Sequence, residues 1–580
     1  MMTKSKLFLS LLAAGAVVGT ASAQSLKDAQ TAIDAEQYDK AKGILQNLVT
    51  KKPKDGLNYF YLGQIYLVNE KLDSAAMAFN NGLTNAPKEV LNSVGLGIVD
   101  LQKNNTSSAE QKFTQATSAL GKKDYLPLYY IGKAYVDAPK PDFAKAIDYL
   151  TQAKAKNAKD ALIPVSLGDA YLGFGQKASE AFMSYRDALE LDPNLVKAKV
   201  QQALITRRAF AFDEALGQYD AIVAEHPTYG PVYREIAETQ LQIAKRMPDN
   251  TDEQKAAYEA QVAKAVDSYK KYLEVTGDKS SDALVRYADF LVFGQKYDEL
   301  KTVALQLENV PGIDAKVYRY LGLITINQDK DAAKAVGYFD KLFANADENR
   351  LIAIDYLFGG FANIEAGDKN KGLQYLGKAL ELDKELINEV DGYGRNAFNS
   401  SKFDAAAAIF NVPAQQKGQP WYYEANYLVG DANFRSGNQK KEAGQDATKE
   451  FSDAIKALDV VIQSTDSAAA DFKLPALYIK GYSNYNLDVI DPEQPEKHKG
   501  LYINDFNQIV KMLTDKQAAG NQLTEDEIVK LTDIYNVVGY SFVLKEDYKS
   551  AADLFKKAVA LTPTDEIATQ YIELLKDYIK

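Results

Sequence analysis

The chain has 580 residues, a formal net charge of −11 and no cysteine. That length exceeds what one hydrophobic core organises, and the lack of cysteine excludes disulfides, thiolate zinc sites, a cysteine nucleophile and the lipidated cysteine of a lipoprotein. With 79 acidic against 68 basic side chains, the balance has the wrong sign for a phosphate-binding surface, so nucleic acid is not an expected partner.

Residues 1–23 read as a secretory signal peptide. Lys4 and Lys6 give a basic start, Leu7–Gly19 an apolar run too short to span a bilayer, and Ala21-Ser22-Ala23 a small-residue cleavage site. Loss of the two lysines takes the net charge from −11 to −13. No later stretch is long and apolar enough to cross a membrane, so no integral membrane segment is expected in the mature chain. The expected destination is the bacterial periplasm.

From there the chain repeats. Ala29, Ala32, Ala41, Leu45 and Leu48 form two apolar faces at helical spacing, closed by Pro53. Then come Tyr59, Leu62-Gly63 and Tyr66, a polar break at Asn69–Asp73, then Ala75, Phe79 and Gly82, ended by Pro87. Ala29, Gly63 and Gly97 are each 34 residues apart. A glycine inside a helix costs roughly 1 kcal/mol against alanine, so its recurrence asks for a packing reason. Gly63 is expected where the first helix of a hairpin approaches the second, with Ala75 and Gly82 as the matching small positions. This helical hairpin resembles the tetratricopeptide repeat (TPR). The resemblance implies an all-α fold, a right-handed α-solenoid (superhelix) of about 13 TPR-like hairpins.

Further units centre on Gly132, Gly168, Ala203, Ala237, Ala288, Gly322, Gly360, Gly394, Gly430, Gly481 and Gly539. The last is followed by an amphipathic helix, Glu566–Ile579, expected to cap the exposed end. Three insertions break the period, near 246–261, 436–449 and 488–500. The first is expected to lengthen both helices of its hairpin, and Pro492 with Pro495 marks the third as loop. The Pro- and Gln-containing run 411–420 reads as a polar connection. It divides a superhelix over 24–410 from a C-terminal block with insertions over 421–580.

No constellation for chemistry emerges. His226 and His498 are far apart in connecting segments and are expected at the surface. A metal or catalytic centre asks for clustered ligands, so no metal, cofactor or enzymatic activity is expected. Trp421 opens a helix in the run Pro420-Trp421-Tyr422-Tyr423, where an exposed platform could stack a sugar but a structural aromatic serves as well. The TPR resemblance places binding in a concave groove lined by each first helix, at slots three before and one and four after the glycine. Those slots hold Phe60 and Gln64, Val94 and Ile98, Tyr129 and Lys133, then Val165 and Asp169. Farther on they are more polar: Arg207 with Arg208, Arg234 with Glu238, Asp289, Arg319, Asp391 with Arg395, and Asp431. The Lys/Asn/Arg pattern by which some repeats clamp a peptide's terminal carboxylate is missing. The expected function is a non-enzymatic periplasmic scaffold for protein partners, in an outer-membrane or envelope assembly. The alternative is a carbohydrate- or nutrient-binding protein on a TPR-like frame beside an outer-membrane transporter.

Overall fold

A computed structural model describes residues 24–118, 120–248 and 250–578. The signal-peptide stretch 1–23 lies outside the described residues. Among the described residues the regular structure is helical throughout, with no strand. The chain divides into two compact units, Met1–Ile313 and Asp314–Lys580. The first holds eight helical hairpins, from Leu26–Asp34 with Tyr38–Lys51 to Ser281–Phe293 with Tyr297–Leu307. The second holds six, from Lys316–Ile324 with Ala332–Asn345 to Glu525–Leu544 with Tyr548–Leu561. It ends in the helix Glu566–Leu575, where Tyr571 stacks on Phe555 at 4.9 Å. Each unit is thus a stack of hairpins, fourteen against the 13 or so expected. The unit at Gly481, which showed no second helix in sequence, has one at Ile503–Ala518.

The hairpin turn explains the period. Glu36, Glu70 and Asn104, spaced by 34 residues, all sit in the left-handed region, at φ 58°, 56° and 59°. The residue after each donates its N–H five residues back: Gln37 to Ala32, Lys71 to Tyr66, Asn105 to Asp100, all at 2.8 Å. That bond is the helix-ending loop of a Schellman cap. The donor's own carbonyl then accepts the first bond of the next helix, as Gln37 does from the Ala41 N–H at 3.0 Å. One helix ends and the next starts within three residues.

Between helices, glycine makes room for rings. A Cβ on Gly63 would lie 2.2 Å from the Phe79 ring, and one on Gly95 of the following hairpin 2.4 Å from the same ring. Phe79, wholly buried, is therefore held between two glycines. Gly82 makes room for a different neighbour. A Cβ there would lie 2.4 Å from the Asn92 side chain, whose amide donates to the Gly56 carbonyl at 3.1 Å. Gly82 serves the joint between hairpins, and not the joint within one.

The irregular stretches are mostly helix. The insertion near 246–261 lengthens chiefly the second helix of its hairpin, Asp252–Thr276, which begins in a Thr251/Gln254 capping box; the first helix is 15 residues long. The stretch 436–449 continues the first helix to Glu442, because Gly437 accepts the Phe451 ring and Lys440 pairs with Glu450 at 2.6 Å. In the run 411–420, the helix Phe403–Ala414 persists through Pro413, and the Asn426 side chain caps the Ala414 carbonyl at 3.0 Å. That run lies inside the second unit, whereas the division between the units falls at Ile313/Asp314.

Candidate functional site

In both units the first helices of successive hairpins pack on one another, as Gly56–Val68 does on Leu91–Gln102 and Lys316–Ile324 on Ala353–Glu365. The more crowded rank is the inner one. In the first unit the curvature is tight enough to join hairpins two apart. The Tyr61 and Tyr130 hydroxyls meet at 2.6 Å and Phe60 meets the Tyr130 ring edge-on at 4.6 Å, while Gln30 of the adjoining first hairpin donates to Tyr61 at 2.7 Å.

The apolar slots pack inward. Phe60, Val94, Ile98, Tyr129 and Val165 are buried between neighbouring helices. The Gln64 side-chain nitrogen is buried with no hydrogen-bond partner among the described residues. Tyr129 accepts from Ser166 at 3.4 Å, and its burial raises the phenol's pKa.

Most of the charged slots already hold a partner, several of them on the adjoining hairpin. Asp169 accepts from Tyr185 at 2.8 Å and Gln201 at 3.0 Å, with Lys197 at 3.5 Å. Arg207 reaches Glu235 at 2.9 Å, Arg286 grips both oxygens of Glu238 at 2.7 and 2.6 Å, and Arg319 holds Asp355 through two bonds. Arg395 links Asp391 on its own helix and Glu424 on the next hairpin, each at 2.7 Å. Arg208 stays exposed, and Lys133 pairs with Asp137 four residues on. These side chains are brought together in adjoining pairs, and not in one cluster. Two-point arginine–carboxylate bonds fix orientation as well as distance, so they act as staples between hairpins.

Lys133, Lys197 and Asp34 lie deep within the first unit, yet Lys133 and Lys197 keep about a third of their side-chain surface wet, at 37 % and 30 %. The neighbouring Asp169 raises the Lys197 pKa and outweighs burial. For Lys133, burial works to lower the pKa but Asp137 prevails and raises it. Burial raises the Asp34 pKa, with Lys197 opposing. The inner face here is a wet, charge-balanced recess.

Nothing in the 34-residue period foretells how this rank ends. The turn of the first hairpin meets the start of the seventh, Gly230–Ala244. Arg234 reaches Glu36 at 2.6 Å, Tyr272 donates to Glu36 at 2.9 Å, and the Gln37 side chain donates to the Thr228 carbonyl at 3.1 Å. Ala35 packs into the cluster of Tyr229, Val232 and Ile236. Glu36 occupies the same left-handed turn position as Glu70 and Asn104, for whose turns no such contact is found among the described residues, so the turn itself carries no signal for it.

In the second unit, His498 is not a surface residue. Its Nε2 lies 2.6 Å from the Ser541 hydroxyl, and its Nδ1 lies 3.2 Å from the Val489 carbonyl and 3.4 Å from Asp488. The imidazole and the Asp488 carboxylate are both enclosed. Asp488 also accepts the backbone N–H groups of Val489, Lys499, Gly500 and Leu501, at 2.9, 2.9, 2.5 and 3.0 Å. The loop 488–502 is thereby pinned to the last hairpin. Ser541 is wholly buried, so the row of Ser, His and Asp has no room for a substrate. Trp421 packs against the core around Phe410, with its indole nitrogen buried. No group of three His, Asp or Glu able to hold a metal is found among the described residues.

Residues 26–90 match the family model of the tetratricopeptide repeat. No curated protein matches the chain. Among solved structures, the chain is similar to a tetratricopeptide repeat protein from Parabacteroides merdae, at 22 % identity over 46 % of this chain and 97 % of that one, with a TM-score of 0.29. It is similar to the C-terminal part of a TPR repeat-containing protein from Cytophaga hutchinsonii, at 17 % identity over 50 % and 98 %, with a TM-score of 0.27. It is also similar to human IFIT1, at 16 % identity over 63 % and 92 %, with a TM-score of 0.37. Likenesses this distant concern the fold alone.

Proposed function

Starting from a chain that is a tetratricopeptide-repeat protein, we propose that it is a non-catalytic scaffold that binds partner proteins along its inner helical rank. The observation that supports this reading is the uninterrupted run of hairpins in both units. Its product is a long ordered surface, and a repeat array offers such a surface to partners. Phe60 and Tyr129 act in holding the rank together, and Gln64 keeps its amide nitrogen buried. Contact with a partner then falls to the charged positions that keep some solvent exposure, Lys133, Asp169, Arg208, Asp391 and Arg395 foremost.

The further parts of the proposal are export to the periplasm, from Lys4, the apolar run and Ala21-Ser22-Ala23, and service in an outer-membrane or envelope assembly. The test is crosslinking in intact cells followed by mass spectrometry. Crosslinks from protein partners to first-helix positions support the reading. Recovery of no protein partner, or of partners touching only the second helices, overturns it. Fractionation of the same cells tests the location, since a cytoplasmic protein with residues 1–23 intact is incompatible with export.

A further inference from the structure

The contact that closes the first unit differs in kind from those that build it. Hairpin joins bury whole rings, among them Phe79, Phe113, Tyr185 and Tyr219. The join between the first and seventh hairpins is narrow and polar. It includes the Glu36 carboxylate on Arg234 and Tyr272, one bond from Gln37 to the Thr228 carbonyl, Ala35 among Tyr229, Val232 and Ile236, and Tyr38, half-buried beside Glu36 and Arg234. It is also a close approach of backbone, since a Cβ on Gly230 would lie 3.1 Å from the Ala35 carbonyl.

The partners are 198 and 236 residues apart in sequence, so nothing local enforces the contact. Arg234 is shared: its Nε lies 3.7 Å from Glu235, and its guanidinium sits over the Tyr272 ring at 5.2 Å. Tyr272 is shared with Asp278 at 3.0 Å. If Glu36 leaves, Arg234 still has the Glu235 carboxylate, shared with Arg207, 3.7 Å away, and Tyr272 still has Asp278. The contact can therefore break without stranding a buried charge, the usual large penalty of opening an ion pair.

We propose that Glu36, Arg234 and Tyr272 form a reversible latch, which holds the first unit closed on itself and whose release swings the first hairpin away and opens the inner rank. Closed, the recess holding Lys133, Lys197 and Asp169 is shut along the side of the first and seventh hairpins. Open, it is accessible along that side. The latch does not depend on what the partner is or where the protein resides.

The natural chain has no cysteine, so two can be introduced without background. Spin labels on Asp39→Cys and Glu225→Cys, both exposed and on either side of the contact, read its width in the full-length protein. The expected result is one short distance in the otherwise natural chain. Glu36→Arg, which sets like charges against each other, should enlarge a longer-distance population by about tenfold, the factor that corresponds to about 1.4 kcal/mol. The swap Glu36→Arg with Arg234→Glu should restore the short distance. Raising salt from about 0.1 M to about 1 M in the natural chain should move the population in the same direction as Glu36→Arg but by less, because the pair is only partly open to solvent, Arg234 on 34 % and Glu36 on 18 % of its side chain. An unchanged distribution in both Glu36→Arg and high salt overturns the latch. So does a swapped pair that stays as open as the single variant while its helical content is intact.

Discussion

The two units use one packing code and deploy their polar side chains differently. In the first, polar groups at the turn of the first hairpin reach across to the seventh, 198 residues away, and the stack returns to its own beginning. In the second, the long-range polar bonds among the described residues are local by comparison. The farthest of them joins Tyr478 to Asp533 over 55 residues, and the Asp488–His498–Ser541 row ties a loop to the adjoining hairpin. Ring-and-glycine packing fixes how neighbours stack, whereas a handful of charged positions decides what a stack does at its ends.

The most severe way to break the shared code is to remove a ring. Phe79→Ala should cost about 3–5 kcal/mol in urea denaturation, because the cavity is walled by Gly63 and Gly95 and cannot collapse onto side chains. Asp355→Ala in the second unit should cost about 3 kcal/mol or more, since it strands Arg319, which keeps only 16 % of its side chain exposed. A paired comparison sharpens how the tightness of one glycine–ring contact, rather than the unit it lies in, sets the cost. Gly63→Ala places a methyl 2.2 Å from Phe79 and should cost about 1–3 kcal/mol by overpacking. Gly539→Ala meets Phe555 at 3.0 Å and should cost visibly less than Gly63→Ala in the same denaturation series.

The clasp in the second unit is sensitive to acid. Burial pushes the Asp488 carboxyl up, but the N–H groups of Lys499, Leu501, Val489 and Gly500 outweigh it and hold the pKa below its ordinary 3.8. A depressed folded pKa contributes stability that is present above the unfolded value and lost as pH falls through the folded one. Hydrogen exchange should therefore show amides 499–501 protected at and above pH 3.8 and released only below it. Asp488→Asn should remove that dependence. The smallest effect belongs to the exposed pairs. Arg395→Met should change stability by no more than about 1 kcal/mol, because Arg395, Asp391 and Glu424 all stand well into solvent. Its effect on crosslinking to a partner is the informative readout.

Much of this architecture was legible in sequence because it is periodic and local. The spacing of Gly63, Ala75, Phe79 and Pro87 carries the hairpin, and its return at Gly539 and Phe555 carries the array. What was not legible depends on partners far along the chain. Glu36 reads as an ordinary turn residue until Arg234 is beside it. His498 reads as a loop histidine because its burial depends on Ser541, 43 residues later. Polar composition misled at 436–442 and at Pro413. There, distant packing by Phe451 and capping by Asn426 keep the chain helical against its local preference. Sequence named charged slots on the first helices but could not tell that most already hold a neighbour.

The left-handed residue found in most of the hairpin turns has a consequence of its own. Elsewhere that position is glycine, as at Gly175, Gly367 and Gly444, or a side chain such as Glu70 or Asn104. The backbone asks only for a residue that tolerates positive φ, and the packing code leaves the side chain out. Where a hairpin has this turn, one site is thus free to vary without disturbing the stack, a row of blank spaces along the ridge of turns. At Glu36 the blank has been filled in with a carboxylate, and a structural accident of the turn has become the part of the first hairpin that the seventh can grasp.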